Sequence, residues 1–163
     1  MHQTRKGVPE TSSPIIPRLF CENPDLAADF YVNALGATEV SRRPGPDGRT
    51  VHALLVLSGG MIMVDAPWPG VPTRCPDPDG SSPVVIFAYV EDVDATVERA
   101  VSQGARILLE AANQFWGDRT AWIVDPASHV WTLASRVEDT TEDQRQGRWL
   151  QIVSEQAKSV TKE

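Results

Sequence analysis

The sequence predicts an α+β fold in which two βαβββ modules pair and curl their sheets into an open cup around a shared cavity. Three observations carry this reading. The segment Arg18-Leu19-Phe20-Cys21-Glu22-Asn23-Pro24-Asp25 resembles Phe87-Ala88-Tyr89-Val90-Glu91-Asp92-Val93-Asp94 at an offset of 69 positions, and an internal repeat of this kind takes precedence over any local motif. Each copy continues into apolar residues at helical spacing, closed by Gly36 in the first and Gly104 in the second. Each then enters a strand-rich segment interrupted by turn residues. A half of about 65 residues buries too little surface to hold a core alone, whereas two halves can share one.

Residues 1–14 carry charge and proline but no apolar run, so they are expected to form a flexible leader with no secretory signal. The first module spans 15–64. Its opening strand passes through Arg18 and Phe20 and ends in small polar residues, where Asp25 is expected to accept the free N–H groups of a first helical turn. Leu26, Ala27, Phe30 and Tyr31 make one buried stripe, and Val51–Leu57, the Ser58-Gly59-Gly60 turn and Met61–Val64 read as a hairpin. Residues 65–83 hold six prolines in 19 positions and read as an inter-module loop, with Trp68 as a candidate lid and Cys75 without a histidine partner.

The second module spans 84–137 and repeats the order, with Asp94 at its helix start and Val93, Val97, Ala100 and Val101 as its stripe. Thr120–Val124 then leads through Asp125-Pro126-Ala127-Ser128-His129 into Val130–Ala134. Residues 138–163 are a polar tail in which Trp149, Leu150, Ile152 and Val153 can present one face of a docking helix to the body or to a second subunit.

Composition narrows the function classes. The chain has 163 residues and a formal charge of −7, which fits one ordinary domain and disfavours nucleic acid or an anionic membrane surface as partner. No apolar run is long enough to span a bilayer, and a cytoplasmic location is expected. Cys21 and Cys75, 54 positions apart, make neither a disulfide framework nor a thiolate zinc site.

Strand alternation turns a specific set of side chains toward the cup. Arg18 can fork onto a carboxylate, phosphate or enolate-like oxygen, while Phe20, Met63, Phe87 and Tyr89 supply apolar walls. His52 lies on a strand and is the candidate acid or base, since neutral imidazole offers a donor and an acceptor. Trp116 and Arg119, in the Phe115-Trp116-Gly117-Asp118-Arg119 cluster, read either as pocket wall or as a latch in which Asp118 and Arg119 satisfy each other.

Gly45-Pro46-Asp47-Gly48-Arg49 before Val51-His52-Ala53, Tyr89-Val90-Glu91-Asp92-Val93-Asp94, Gln114-Phe115-Trp116-Gly117-Asp118-Arg119, and Asp125-Pro126 leading to His129-Val130-Trp131 give the chain a family likeness. It resembles the vicinal oxygen chelate superfamily of glyoxalase, bleomycin-resistance and extradiol-dioxygenase proteins, and within it the PhnB-like group. The resemblance implies paired βαβββ modules around a cavity, often completed in a homodimer. It also implies a place for a divalent ion, held in metal-using relatives by His, Glu or Gln on the first and last strands of each module. The matching positions here are Arg18, Met63, Phe87 and Thr132.

None of those four is a usual ligand for a hard divalent ion. The leading expectation is therefore binding of an aromatic or amphipathic small molecule with no metal or other cofactor, as in a resistance or biosynthetic accessory protein, through Arg18, Phe20, His52, Met63, Phe87, Tyr89, Trp116, Arg119 and Thr132. A first alternative is a cofactorless lyase or isomerase in which His52 moves a proton and an arginine stabilises an oxyanion. A second is a glyoxalase- or dioxygenase-like enzyme with a divalent metal relocated to His52. A structural or protein-interaction role would require an interior filled by its own aromatic side chains.

Overall fold

The computed structural model describes residues 7–9, 11–78 and 82–160. His2, part of the expected leader and residues 79–81 of the expected loop lie outside the described residues.

The first module runs β1 (Arg18–Phe20), α1 (Pro24–Asn33), β2 (Thr38–Pro44), β3 (Thr50–Leu57) and β4 (Gly60–Asp65). The second repeats it as β5 (Val85–Tyr89), α2 (Val93–Ser102), β6 (Arg106–Asn113), β7 (Asp118–Val124) and β8 (Val130–Arg136), and α3 (Glu142–Val160) follows. The strands form two open four-stranded sheets, ordered β1-β4-β3-β2 and β5-β8-β7-β6. In each sheet the first strand pairs in parallel with the last and the remaining pairs are antiparallel. This is the α+β pair of βαβββ modules that the repeat implies.

Local chemistry sets the helix starts, two residues earlier than the sequence reading placed their caps. Pro24 suits the first helical position because its φ is fixed and it has no N–H to satisfy, so the cap falls on Asn23, whose side chain accepts the Leu26 N–H at 3.1 Å. Asp92 caps α2 by accepting the Ala95 N–H at 3.0 Å. Asp25 and Asp94 sit inside the first turns and reach sideways instead. Asp25 takes a bond from Arg42 at 3.0 Å and one from the Thr50 hydroxyl, while Asp94 pairs with Arg119. Both helices end before their glycines, and Gly36 (φ 77°) and Gly104 (φ 97°) then turn the chain through the left-handed region.

One face of each sheet is covered by its helix. Ala27, Ala28 and Phe30 of α1 pack over Leu19, Ala53, Leu55, Ile62 and Val64, while Val93, Val97 and Ala100 of α2 pack over Ala121, Ile123 and Leu133. The two cores meet where Tyr31 of α1 lies against Trp131 of β8, with ring centroids 5.2 Å apart. The Tyr31 hydroxyl donates to Asp125 Oδ2 at 2.5 Å and the Trp131 indole N–H to the same oxygen at 2.8 Å. Asp125 Oδ1 accepts the backbone N–H groups of Ala127 and His129 at 2.8 and 2.9 Å. Burial, reinforced by the adjacent carboxylate, pushes the Tyr31 phenol well above its ordinary range, so it stays a neutral donor. A buried carboxylate in the second module thus fastens a helix of the first.

Helix α3 is held at its middle. Arg148 reaches both oxygens of Glu138 at 2.8 and 2.6 Å, and Trp149 lies 5.4 Å from the Phe115 ring, while Leu150 and Val153 stay exposed. Among the described residues no helix is long and apolar enough to cross a membrane.

Candidate functional site

The strand registers sort the sequence-selected residues into rows on the sheet faces left open by the helices. In the first sheet Arg18 is opposite Met63 and Met63 opposite Leu54, while Phe20 is opposite Asp65 and Asp65 opposite His52. In the second, Phe87 is opposite Thr132 and Thr132 opposite Trp122, with Tyr89 and Ala134 in the next row. Paired positions point to the same side of a sheet. Arg18, Phe20, His52 and Met63 therefore share one open face, and Phe87, Tyr89 and Thr132 share the other.

The remaining two are placed differently. Arg119 lies on the helix-covered side of β7, where one edge of its guanidinium, Nε and Nη2, pairs with both oxygens of Asp94 at 2.7 and 2.8 Å and Nη1 donates to Asn113. Trp116 occupies the turn between β6 and β7 and donates its indole N–H to Asp118 Oδ2 at 2.7 Å. The partner of Asp118 is thus Arg136, whose Nε lies 3.1 Å from Oδ1, and not its sequence neighbour Arg119. Adjacent strand residues face opposite ways, which forbids the neighbour pair that the sequence invites.

The Arg136 guanidinium also donates to the Trp116 carbonyl at 2.9 Å, and Tyr89 donates its hydroxyl to Asp118 Oδ2 at 2.9 Å. The hydrogen bond to that carboxylate, with some burial, holds the Tyr89 phenol above its usual range. Trp116, Asp118, Tyr89 and Arg136 form a latch across the end of the second sheet.

The corresponding end of the first sheet carries a more reactive arrangement. Asp65, buried at the end of β4, receives Arg18 through Nε at 3.0 Å and Nη2 at 3.1 Å. His52 Nδ1 stands 2.8 Å from Asp65 Oδ1. Burial favours the neutral acid, but the Arg18 and His52 hydrogen bonds and charges outweigh it and hold the Asp65 carboxyl below its usual range. An ionised carboxylate can only accept, so Nδ1 of His52 carries the proton and a neutral ring keeps the Nε2 lone pair available. His52 is one-quarter exposed, enough to meet a ligand on the open face.

The sign of the Asp65 contribution to stability follows from its lowered pKa. The contribution is fully present above the unfolded carboxylate value of about 4 and is lost as pH falls through the lower folded value. Asp65→Asn is expected to cost about 1 kcal/mol at neutral pH, a figure kept small because Arg18 is half exposed. In urea titrations the gap between wild type and variant should be constant above pH ~5 and shrink below pH ~4. A gap that widens on acidification would reverse the assignment.

Three sequence-selected residues from the two modules meet in one cavity. Arg18 and Phe20 from β1 and Phe87 from β5 line a space of about 550 Å3 at the seam between the modules, together with Val85 and His129, and with Arg74, Pro76 and Ser82 from the proline-rich loop. Phe87 also lines a neighbouring cavity of about 300 Å3 with Met61 and Tyr89. Trp68 is exposed and lines neither. Asp65, Arg74 and the anchoring of His129 on Asp125 were not singled out by sequence reasoning. Asp65 falls two positions after Met63, so alternation alone could have placed it on the open face; Arg74 had no comparable signal.

The four positions matching the metal ligands of metal-using proteins do not fit a hard divalent ion. Arg18 brings a positive charge, Met63 a soft sulfur, Phe87 no donor and Thr132 a single hydroxyl. Among the described residues no three His, Cys, Asp or Glu side chains converge, and the nearest carboxylate, Asp65, is already bonded to Arg18 and His52. Thiol chemistry is also poorly served: burial pushes Cys21 up to about 12, and burial with the Glu22 contact pushes Cys75 up to about 11, so both stay protonated near neutrality.

The paired modules and their open faces define a class of protein, and comparison with known sequences agrees. The chain belongs to the Glyoxalase/Bleomycin resistance protein/Dioxygenase superfamily, whose family model matches residues 14–133. It is similar to the uncharacterized protein Rv0887c of Mycobacterium tuberculosis, with 38% identity over 133 residues covering 80% of this chain and 78% of that one. It is also similar to the putative glyoxylase CFP32 of Mycobacterium bovis, 31% identical over 77% of this chain but only 45% of the longer protein. Among solved structures, TioX from Micromonospora sp. ML1 matches at a TM-score of 0.61 and 28% identity, covering 77% of this chain and all of that one. The fosfomycin resistance protein FosX from Listeria monocytogenes, solved with Mn(II) and sulfate, shares the fold at a TM-score of 0.59 and 16% identity, covering 85% of this chain and 98% of that one.

Proposed function

We propose that this protein binds an aromatic or amphipathic small molecule in the seam cavity without a metal, in the manner of a resistance or biosynthetic accessory protein. The observation that carries the reading is the meeting of Arg18, Phe20 and Phe87 around one cavity of about 550 Å3, within the size range of small-molecule sites. Phe87 is half exposed there, and an aromatic surface left uncovered in a concave site gains by covering itself with a ligand. The four side chains at the metal positions support the metal-free part of the proposal. We place the chain in the PhnB-like group on the four motifs beginning at Gly45, Tyr89, Gln114 and Asp125, and take it to act as a cytoplasmic homodimer with the exposed face of α3 available to a second copy.

A second reading is favoured by one specific observation, the 2.8 Å contact between His52 and Asp65. A buried carboxylate that fixes the tautomer of a partly exposed imidazole is the usual support for a general base, and the neighbouring Arg18 can stabilise developing negative charge. In this reading the protein is a cofactorless lyase or isomerase acting on an oxygenated small molecule.

One experiment separates the two. Titration of the purified protein with a panel of aromatic and amphipathic compounds, followed by product analysis, is expected to show saturable binding with the compound recovered unchanged. Conversion that disappears in His52→Ala while binding persists would establish the enzyme reading in its place, and conversion that survives the substitution would overturn binding without turnover and dismiss His52 as the base.

A further inference from the structure

The seam cavity separates charge from apolar wall in a way that names the class of its ligand. We infer that it selects a molecule with a single anionic group, in its simplest form an aromatic carboxylate, with the anion on Arg74 and the ring against Phe20 and Phe87. This rests on the cavity being the ligand site, as proposed above.

The chain carries a net charge of −7, yet among the described residues that line this cavity there are two arginines and His129 and neither aspartate nor glutamate. The two arginines are not equivalent. Arg18 has spent one edge of its fork on Asp65, at 3.0 and 3.1 Å, so its charge is already met by a buried carboxylate, and its planar group lies over Phe20 at 5.5 Å. Arg74 pairs with no carboxylate among the described residues and is exposed at the cavity wall. An uncompensated guanidinium offers the parallel N–H donors that match the two oxygens of a carboxylate. Among the described residues of the cavity wall, one guanidinium without a carboxylate partner balances a monoanion and leaves a dianion half unmatched.

The position of Arg74 in the fold strengthens the assignment. It arrives from the proline-rich segment between the modules, with Pro72 and Pro76 on either side. Proline restricts the free loop, so keeping Arg74 at the cavity wall costs less conformational entropy than it would in a glycine-rich linker. The segment that reads as a connector thereby supplies the recognition group, while the strands supply the wall.

The test uses the full chain at neutral pH and low salt, titrated by fluorine NMR with para-fluorobenzoate and with its neutral analogue para-fluorobenzyl alcohol. Wild type is expected to bind the benzoate about tenfold more tightly than the alcohol. Arg74→Gln should remove that preference and leave the alcohol unchanged. Phe87→Ala should weaken both probes alike. Equal affinity for the two probes in wild type, or a preference that survives Arg74→Gln, would overturn the anion assignment while leaving small-molecule binding intact, and indifference of both probes to Phe87→Ala would overturn the placement of the ring against this wall. Failure of both probes to bind at millimolar concentration would overturn the cavity as the ligand site.

Discussion

Replacing Asp125 by alanine is expected to destabilise the protein by about 4 kcal/mol, more than any other single polar substitution considered. Four donors converge on this carboxylate: the Tyr31 hydroxyl, the Trp131 indole N–H and the backbone N–H groups of Ala127 and His129. The Asp125 side chain is fully buried, as are Tyr31 and Trp131. Truncation therefore leaves several buried donors without an acceptor and without water, and each such orphan costs on the order of 1–3 kcal/mol. Because Tyr31 belongs to α1 and Asp125 to the β7–β8 turn, the loss loosens the two modules from each other as well as the turn itself.

Urea unfolding followed by tryptophan fluorescence, with Trp131 in the affected core, measures the effect. Tyr31→Phe removes one donor and leaves the carboxylate its other three, so it should cost only about 1–2 kcal/mol. Equal losses in the two variants would mean that the Tyr31 bond, and not the carboxylate as a hub, carries the stability.

Gly117→Ala is expected to cost about 3 kcal/mol and to release the Trp116 latch. Gly117 has φ 96°, in the region that L side chains avoid. A Cβ there would also run into the backbone carbonyl of Glu138 and crowd the Arg136 guanidinium at 3.1 Å. The Gly117 carbonyl meanwhile accepts the N–H groups of Val137 and Glu138, both at 3.0 Å, so the strand end cannot withdraw without losing bonds. Backbone strain and overpacking therefore act at the same atom. Thermal unfolding measures the stability loss, and quenching of tryptophan fluorescence should show Trp116 more accessible in the variant. An unchanged melting temperature would show that the turn relaxes freely and that the latch does not constrain it.

The repeat was legible because it rests on chemistry that recurs locally. A strand ending in a capping residue, a stripe of apolar side chains at helical spacing, and a glycine that can take a positive φ leave the same trace in both halves. The sequence reading erred on the cap itself, choosing Asp25 and Asp94 where Asn23 and Asp92 cap the helices, since an aspartate inside a first turn and one just before it look alike until the starting residue is known. The same limit explains Arg119. A pair of neighbours such as Asp118 and Arg119 reads as a salt bridge, but a strand sends them to opposite faces, and Asp94 on α2 and Arg136 on β8 take the two charges.

The amino-acid sequence by itself determined the two βαβββ modules and their order, because these depend on periodicity, capping and alternation over a few residues. Only the tertiary structure decided that Asp65 stands between Arg18 and His52, that Asp125 fastens Tyr31 across the modules, and that Arg74 lines one cavity with Phe20 and Phe87. These hydrogen-bonded partners are separated by 13 to 94 residues, and what joins them is strand register and the packing of one module on the other. A one-residue shift in register would send each of the strand residues to the opposite face while leaving every local pattern intact.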